Sequence, residues 1–148
     1  MSISIVLDRY KLLFENLTID SIDTDFLDVF DSNVYFKDPF NEVRGLSQIQ
    51  RIFHHMFASL HEPVFIISHT AGAEETGYLT WYLSFKLKPG EQQKTYCIKG
   101  VSEIRINQQL QVIAHIDYWD TGEFIYNKIP LLGGIIRLIN QRLSTPLA

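Results

Sequence analysis

The feature that most constrains this chain is a run of four alternating segments in its second half. From Pro63 onward, apolar and polar residues alternate over 64–70, 78–88, 94–106 and 111–120. Successive side chains of a strand point to opposite faces of a sheet, so this period of two indicates half-buried strands. Strands joined by short links pair with antiparallel neighbours. The second half therefore predicts an antiparallel sheet with one apolar face.

Turn-forming residues set the limits of these strands. Small and polar residues separate them, at Ala71-Gly72-Ala73, Pro89-Gly90 and Asn107-Gln108-Gln109. An earlier strand is predicted over 34–38, and Pro39 ends it because proline has no N–H for a sheet ladder. We interpret 41–45 as a turn that follows this strand.

Helical periodicity fills most of the first 60 residues and returns near the C-terminus. Apolar residues at steps of three and four predict a helix over 6–17 and another over 49–60, the second capped by Ser47. A short helical stretch follows Ser21, and a C-terminal helix is predicted over about 130–143. Helices, a strand, a helix and then a strand meander form an α+β order, in which the helices cover one face of a bent sheet.

The chain has the size and composition of one globular domain. Its 148 residues are 46% hydrophobic and 20% charged, so we expect residues 1–148 to form a single core. The net charge is −4, and the Lys and Arg residues are scattered along the chain. A nucleic-acid partner is therefore not expected, because binding to a phosphate backbone needs clustered cations.

The sequence indicates a cytoplasmic location. It shows neither the charged start of a signal peptide nor a run of about eighteen apolar residues, so we expect no membrane span. Cys97 is the only cysteine, which excludes an intrachain disulfide. Because Cys97 falls within a predicted strand, we interpret it as a buried, inert thiol in a reducing compartment.

Alternation also predicts which strand residues face the helices. Trp81 belongs to the apolar set of the second long strand, and Tyr96 and Ser102 belong to the apolar set of the third. On the first strand, Phe36 and Asp38 share the inward face. These five side chains are therefore candidates for the wall of a pocket between helices and sheet.

The last strand carries polar groups on a face that is expected to point inward. The inward set is Ile113, His115, Asp117 and Trp119. The outward set is Val112, Ala114, Ile116 and Tyr118. A carboxylate on an apolar face must find hydrogen bonds, stay neutral or reach solvent, which makes Asp117 and its neighbour His115 candidate functional residues. The outward set is apolar enough to predict a homodimer through the outer sheet face.

A family resemblance enters through the segment from Tyr35-Phe36-Lys37-Asp38-Pro39-Phe40-Asn41 to Gly45. It resembles the Asp-Pro turn of ketosteroid isomerase and its SnoaL-like relatives, in the nuclear transport factor 2-like superfamily. Arg9-Tyr10 falls where that family has an Arg-Tyr pair, and 117–137 look like the ending of uncharacterised bacterial SnoaL-like proteins. The resemblance implies a cone-shaped, curved antiparallel sheet with helices on its concave face. It also implies Asp38 as general base and Tyr10 as a hydrogen-bond donor.

One position departs from ketosteroid isomerase. Aligning the inward strand faces puts Ser102 where that enzyme completes its oxyanion hole with a neutral aspartic acid. Loss of such a donor typically costs about 3 kcal/mol of transition-state stabilisation. Steroid isomerisation is therefore not expected, and His115, Asp117 and Trp119 make this wall of the pocket more polar.

The leading interpretation is a cofactor-independent acid/base enzyme, such as an isomerase, cyclase, dehydratase or hydrolase, acting on a small apolar molecule. Asp38 is its expected base, with His115 or Asp117 as the acid partner and Tyr10 as a donor. The expected ligand-binding residues are Phe36, Trp81, Tyr96, Ser102 and Trp119. We expect no metal ion. A non-catalytic ligand-binding module and a homodimeric adaptor domain are the alternatives, and Asp38 fits a turn cap equally well.

The C-terminal helix has a larger apolar face than attachment to a domain requires. It is too short to span a bilayer, which takes about 20 residues. Two uses are open: a lid over the pocket, or contact with a membrane surface through the apolar face, with Arg137 and Arg142 near anionic headgroups. Two arginines contribute only about 2 kcal/mol of such attraction, so the sequence favours the lid.

Overall fold

The computed structural model describes residues 2–87 and 94–146, and it has the α+β order that the sequence predicts. The helices are α1 Ser2–Glu15, α2 Ile19–Asp23, α3 Asp25–Val29, α4 Leu46–Ser59, α5 Thr121–Phe124, the 3-10 helix Tyr126–Lys128 and α6 Leu132–Leu143. The strands are β1 Phe30–Lys37, β2 Glu42–Arg44, β3 Leu60–Ala73, β4 Thr76–Leu87, β5 Tyr96–Ile106 and β6 Val112–Tyr118. The turn predicted at Pro89-Gly90 lies outside the described residues.

The six strands form one curved, unclosed sheet in the order β2-β1-β6-β5-β4-β3. From β3 to β6, neighbours in the chain pair antiparallel, as their short links predict. The strand β1 lies beside β6 and runs parallel to it, so the sheet is mixed rather than wholly antiparallel. The alternation of side chains along one strand does not tell whether its neighbour runs parallel or antiparallel. The direction of β1 relative to β6 depends on α4, which takes the chain from one edge strand, β2, to the other, β3.

An aromatic layer joins the helices to the sheet. Tyr10 and Phe14 of α1, Phe53 of α4 and Phe36 of β1 are each no more than 5% exposed. The ring centroids of Phe14 and Phe53 are 5.5 Å apart, and those of Phe36 and Phe53 are 6.0 Å apart. Such pairs contribute about 0.5–1.5 kcal/mol beyond the burial of their area. This layer positions α1 and α4 over the inner face and surrounds the ring of His115.

Gly72 and Gly77 serve close packing rather than a turn. The prediction of a turn at Ala71-Gly72-Ala73 is wrong, because β3 continues through Ala73 and Glu74 turns the chain with a φ of 55°. Gly72 pairs with Gly77 across the hairpin. A Cβ on Gly77 would lie 2.8 Å from Leu7 Cδ2. The two glycines therefore let α1 cross directly over the strand backbone.

Several boundaries between residues 19 and 47 differ from prediction. The short helical stretch is two helices, α2 and α3, and Phe30 begins β1 instead of ending a helix. The turn predicted over 41–45 contains β2, because pairing with β1 overrides the local turn preference. Ser47 lies inside α4, and the residue before the helix is Gly45, whose φ of 108° suits glycine.

An irregularity in β6 reverses the first part of the predicted alternation. Val112 was expected to point outward, yet it is fully buried, and Ile113 is 38% exposed. Residues 105–106 of β5 pair with Ala114 and Val112, which leaves Ile113 as an extra residue in the ladder. Beyond this bulge His115 is buried, as the prediction of an inward position requires. Val112 is therefore unavailable for the predicted contact through the outer face.

The prediction of a buried Cys97 is wrong. Cys97 is exposed, because it alternates along β5 with Tyr96 and Ile98, whose side chains take the inner face. The alternation that identified the inner face also places the intervening residues outside. A strand buries the side chains of both faces only where other elements cover both faces.

The C-terminal helix is not the predicted lid. It begins at Leu132 rather than near Pro130, because Leu131 has a φ of 67°, which a right-handed helix does not allow. The helix packs chiefly against the 3-10 helix Tyr126–Lys128. Large apolar side chains of α6, including Ile135 and Leu143, remain 38% to 81% exposed. A helix closing over a pocket would bury such side chains.

Candidate functional site

A continuous set of side-chain hydrogen bonds crosses the interior from α1 to the sheet. Tyr10 Oη is hydrogen-bonded to Nδ1 of His115, which lies on β6. His115 Nε2 is 2.7 Å from Asp117 Oδ1. Ser102 Oγ donates to the same oxygen at 2.5 Å, and Trp81 Nε1 donates to Ser102 Oγ at 2.8 Å. These residues form what we call the Asp117 network.

Strand register explains why these side chains meet. Ser102 of β5 pairs directly with Asp117 of β6, so their side chains lie side by side on the inner face. Trp81 of β4 pairs with Gly100 of β5. A Cβ on Gly100 would lie 2.4 Å from the Trp81 ring, so only glycine leaves room for the indole to lie over β5. In that position the indole N–H reaches Ser102.

The hydrogen bonds of the network converge on Oδ1 of Asp117 from two sides. Burial, followed by the negative charge of Asp117, raises the pKa of Tyr10 well above its ordinary value, so its hydroxyl stays protonated at neutral pH. A histidine with its proton on Nε2 accepts from the Tyr10 hydroxyl at Nδ1 and donates to Asp117 Oδ1, so this tautomer satisfies both ring nitrogens. His115 and Ser102 then both donate to one oxygen of Asp117.

Asp117 forms part of the wall of an apolar cavity of about 280 Å³ between α4 and the sheet. The apolar lining includes Phe36, Phe53, Met56, Phe65, Trp81, Leu83, Phe85 and Trp119. The Asp117 side chain is 16% exposed. Within residues 2–87 and 94–146, hydrogen bonds to this carboxylate go to Oδ1, and none goes to Oδ2. The second oxygen therefore has no donor among the described residues, on a side chain that lines the cavity.

Asp38 lies directly after β1, at the rim of the same cavity, and its carboxylate closes a turn. Its Oδ1 accepts from the backbone N–H of Phe40 at 2.8 Å and of Asn41 at 2.6 Å. The side-chain amide of Asn41 is 3.1 Å from each carboxylate oxygen. Asp38 is partly buried. This is the turn cap that Asp before Pro commonly forms, here placed beside the cavity.

The other predicted ligand-binding residues divide between the cavity and the layer behind it. Phe36, Trp81 and Trp119 line the cavity. Ser102 lies behind Asp117, where it lines a small adjoining void rather than the cavity. Tyr96 stacks on Phe85 with centroids 5.7 Å apart, so it supports a lining residue and is absent from the cavity wall.

Sequence reasoning missed the polar side chains near the mouth. His55 and Ser59 of α4 line the cavity, and their side chains are 3.3 Å apart. Asn41 lines it as well. The signal was present, because His55 and Ser59 stand three and seven residues after Ile52, on the stripe that predicted the helix. The apolar residues of this stripe predict the helix, and the polar residues at the same spacing identify side chains that the helix directs toward the cavity.

A larger, open groove of about 690 Å³ lies at the ends of β1 and β6. It shares Asp38, Asp117 and Trp119 with the cavity, but Tyr35 and Tyr118 also line it. Small-molecule sites bury most of their ligand, which an open groove does not. We therefore place the candidate site in the cavity between α4 and the sheet.

This fold and this cavity agree with the sequence comparison. Residues 13–115 match the SnoaL-like domain family, well over half of the chain, and the chain belongs to that family. No curated protein matches the chain. The predicted SnoaL-like membership is confirmed, and solved structures named nuclear transport factor 2-like and ketosteroid isomerase-like share the fold.

Solved structures support the same fold. A nuclear transport factor 2-like protein of Burkholderia pseudomallei has a TM-score of 0.69 at 12% identity, covering 84% of this chain and 95% of that one. An LEH-like epoxide hydrolase of M. tuberculosis has a TM-score of 0.62 at 12% identity, covering 96% and 93%. A proposed SnoaL-like polyketide cyclase of Shewanella putrefaciens has a TM-score of 0.55 at 20% identity, covering 69% and 83%. At these identities the likeness shows the fold alone.

Two features of the described residues bear on other classes of site. None of the helices in 2–87 and 94–146 is long and apolar enough to cross a membrane. In the same residues, no cluster of three His, Cys, Asp or Glu side chains is arranged to hold a metal ion.

Proposed function

We propose that this chain is a cofactor-independent acid/base enzyme for a compact apolar molecule, with Asp117 as the general base. One observation carries the proposal: His115 and Ser102 hold Oδ1 of Asp117, while Oδ2 has no donor among the described residues and the side chain lines the apolar cavity. A general base must lie within about 2.6–3.2 Å of the proton that it removes. An oriented carboxylate in an apolar enclosure offers that geometry to a bound molecule.

Asp117 is a better candidate base than Asp38, which the family resemblance favours. Both oxygens of Asp38 already accept hydrogen bonds from the turn that follows it, whereas Asp117 keeps one oxygen available. We assign Asp38 to shaping the rim of the cavity. His115 and Tyr10 lie behind Asp117, outside the cavity wall, so we assign them to positioning its carboxylate.

The proposed step is the transfer of one proton to Asp117 Oδ2. The proton leaves a C–H bond beside a carbonyl group, or a water molecule that attacks the substrate, and the electron pair of the broken bond stays with the carbon or oxygen. The donors on Oδ1 keep the carboxylate oriented while its charge is neutralised. Return of the proton to another atom of the substrate completes an isomerisation or a ring closure. With water as the nucleophile, return of the proton to the leaving oxygen completes a hydrolysis.

The substrate class follows from the size and lining of the cavity. A volume of about 280 Å³ is at the lower end for small-molecule sites, which commonly span about 300–1,000 Å³. The mostly apolar lining favours a small cyclic molecule with few polar groups. The names of two structural neighbours, an epoxide hydrolase and a proposed polyketide cyclase, are compatible with this class, because opening an epoxide and closing a ring both require a proton to move.

The test combines a substrate panel with two isosteric variants. Small cyclic epoxides, enones and 1,3-dicarbonyl compounds are incubated with the wild-type protein, and the products are detected by mass spectrometry. Asp117→Asn keeps the shape of the side chain but removes the base, so turnover should fall by about 100-fold to 10,000-fold. Affinity, measured by calorimetry, should change by less than about threefold. Asp38→Asn is the matched control, and its turnover should fall by less than about tenfold.

Other outcomes would assign the chain differently. If Asp38→Asn abolishes turnover and Asp117→Asn does not, the assignment of the base is wrong. If panel members bind tightly and no member is converted, the chain is a ligand-binding module. If no member binds and the chain forms a dimer through its outer sheet face, the adaptor alternative is favoured.

A further inference from the structure

The helix α6 attaches to the rest of the chain through a small and polar face. Gly133 lies so close to the 3-10 helix Tyr126–Lys128 that a Cβ there would be 2.3 Å from Asn127 O. One turn later, Arg137 Nη1 donates to the same carbonyl oxygen at 3.2 Å. Gly133 N donates to Ile129 O at 2.7 Å. The closest contacts of α6 are therefore made by a glycine and an arginine, and Ile136 is partly buried beside them.

Most apolar residues of α6 occupy a different face, and Leu138, which is 52% exposed, lies outside it. We call the α6 apolar face the set Leu132, Ile135, Ile136, Ile139 and Leu143. At about 100° per residue, these side chains lie within about 60° of one line along the helix, and Gly133 and Arg137 lie about 100° and 140° from that line. Leu132 is 38% exposed, Ile135 55%, Ile139 46% and Leu143 81%. A helix of this length is marginal in water by itself, so this face is suited to a partner surface.

The charge of this part of the chain differs from the charge of the whole. Residues 124–148 contain Lys128, Arg137 and Arg142 and no Asp or Glu, although the chain as a whole has a net charge of −4. Arg142 lies about 80° from the centre of the α6 apolar face, at its border. A short helix with an exposed apolar face, bordered by the cation of Arg142 in a segment without acidic residues, resembles helices that lie in the interface of an anionic membrane.

We propose that α6 binds the surface of an anionic lipid bilayer, with its apolar face at the boundary of the acyl chains and Arg142 near the headgroups. The same face could be covered by a second copy of the chain, but a symmetric contact would bring the cations of both copies together without acidic partners. Anionic headgroups supply the missing charge. The proposal is independent of the proposed function, because it uses no residue that lines the cavity.

The experiment measures sedimentation of the full chain with vesicles. Vesicles of phosphatidylcholine with 30% phosphatidylglycerol are compared with vesicles of phosphatidylcholine alone. We expect at least about tenfold tighter binding to the anionic vesicles, and weaker binding as salt is raised. The double variant Ile135→Asp, Ile139→Asp should lose at least about 90% of the binding. Ile5→Asp on α1, whose isoleucine is 57% exposed, is the matched control and should bind like the wild type.

The remaining arms separate the alternatives. Arg142→Gln should weaken binding to anionic vesicles severalfold and leave any residual binding to neutral vesicles unchanged. Circular dichroism checks that every variant keeps its fold. Failure of the wild type to bind anionic vesicles at low salt would overturn the proposal. So would equal binding by the double variant. A concentration-dependent dimer that the double variant abolishes, without vesicle binding, would identify a second copy as the partner.

Discussion

The Asp117 network and α6 differ in the kind of side chain that they bury. In the network, polar groups are buried and every donor is directed to an acceptor. In α6, most large apolar groups are exposed, and the closest contacts with the rest of the chain are made by Gly133 and Arg137. A buried polar group that loses its partner costs about 1–3 kcal/mol, whereas an exposed side chain with no contacts costs little when changed. Stability should therefore depend strongly on the network and weakly on α6.

The largest expected effect on stability comes from His115→Leu. It leaves the Tyr10 hydroxyl without its acceptor and removes one donor from Asp117 inside the protein. We expect the free energy of unfolding to fall by about 2–4 kcal/mol, measured by urea denaturation at neutral pH. Leu138→Ala on α6, at a side chain 52% exposed, is the matched control and should change it by less than about 0.5 kcal/mol. Equal losses of unfolding free energy in the two variants would show that stability depends equally on the Asp117 network and on α6.

The next effect appears in alkaline solution. The folded state raises the pKa of Tyr10 above its ordinary value of 10.0 through burial and then the charge of Asp117. Below pH 10 both states keep the proton. Above it the unfolded chain loses the proton first, so stability falls as pH rises, by at most about 1.4 kcal/mol per pH unit from this group. Tyr10→Phe should show a shallower decline between pH 10 and 11 in urea titrations, and parallel curves would contradict the pKa shift.

A smaller effect is expected from Tyr10→Phe at neutral pH. The variant keeps the ring that packs on Phe14 and removes one buried hydrogen bond to His115. We expect a loss of about 1 kcal/mol in the free energy of unfolding, because the imidazole nitrogen keeps its lone pair without a donor. A gain in stability would mean that the hydroxyl is poorly accommodated in the core.

The smallest effect is expected from deleting the residues after Gly133 in the absence of membranes. The sequence-based lid prediction requires this truncation to open the cavity and lower the melting temperature. In the structure no α6 residue lines the cavity, so we expect the melting temperature to change by less than about 2 °C. Binding of an environment-sensitive dye should also stay unchanged. A large rise in dye binding would support the prediction that α6 covers the cavity.

Short-range periodicity predicted a large part of the fold and of the site. The spacing of apolar residues identified α1, α4 and the long strands, and alternation identified the inner faces that hold Trp81 and Ser102. It also placed His115 and Asp117 on the inner side of one strand. These predictions hold because helix and strand periods are local properties of the backbone. The catalytic roles of His115 and Asp117 stay predictions.

The errors fall where distant parts of the chain meet. Local residues favour a turn at 41–45, but pairing with β1 makes it a strand. The bulge at Ile113 is set by register with β5, and the glycines at Gly72 and Gly77 are explained only by α1 lying across them. Each depends on contacts between residues far apart in the chain, which no local pattern contains.

By itself, the sequence determined the types of elements and the side chains that share a face, because these follow from backbone geometry over a few residues. Only the tertiary structure decided the chemistry. Asp38 and Asp117 both lie on predicted inward faces. The carboxylate of Asp38 accepts hydrogen bonds from the turn that follows it, whereas a histidine and a serine orient the carboxylate of Asp117. The availability of an oxygen depends on which donors the fold brings to it: Asp117 receives one from its own strand and one from β5, whereas Asp38 receives its donors from the adjoining turn.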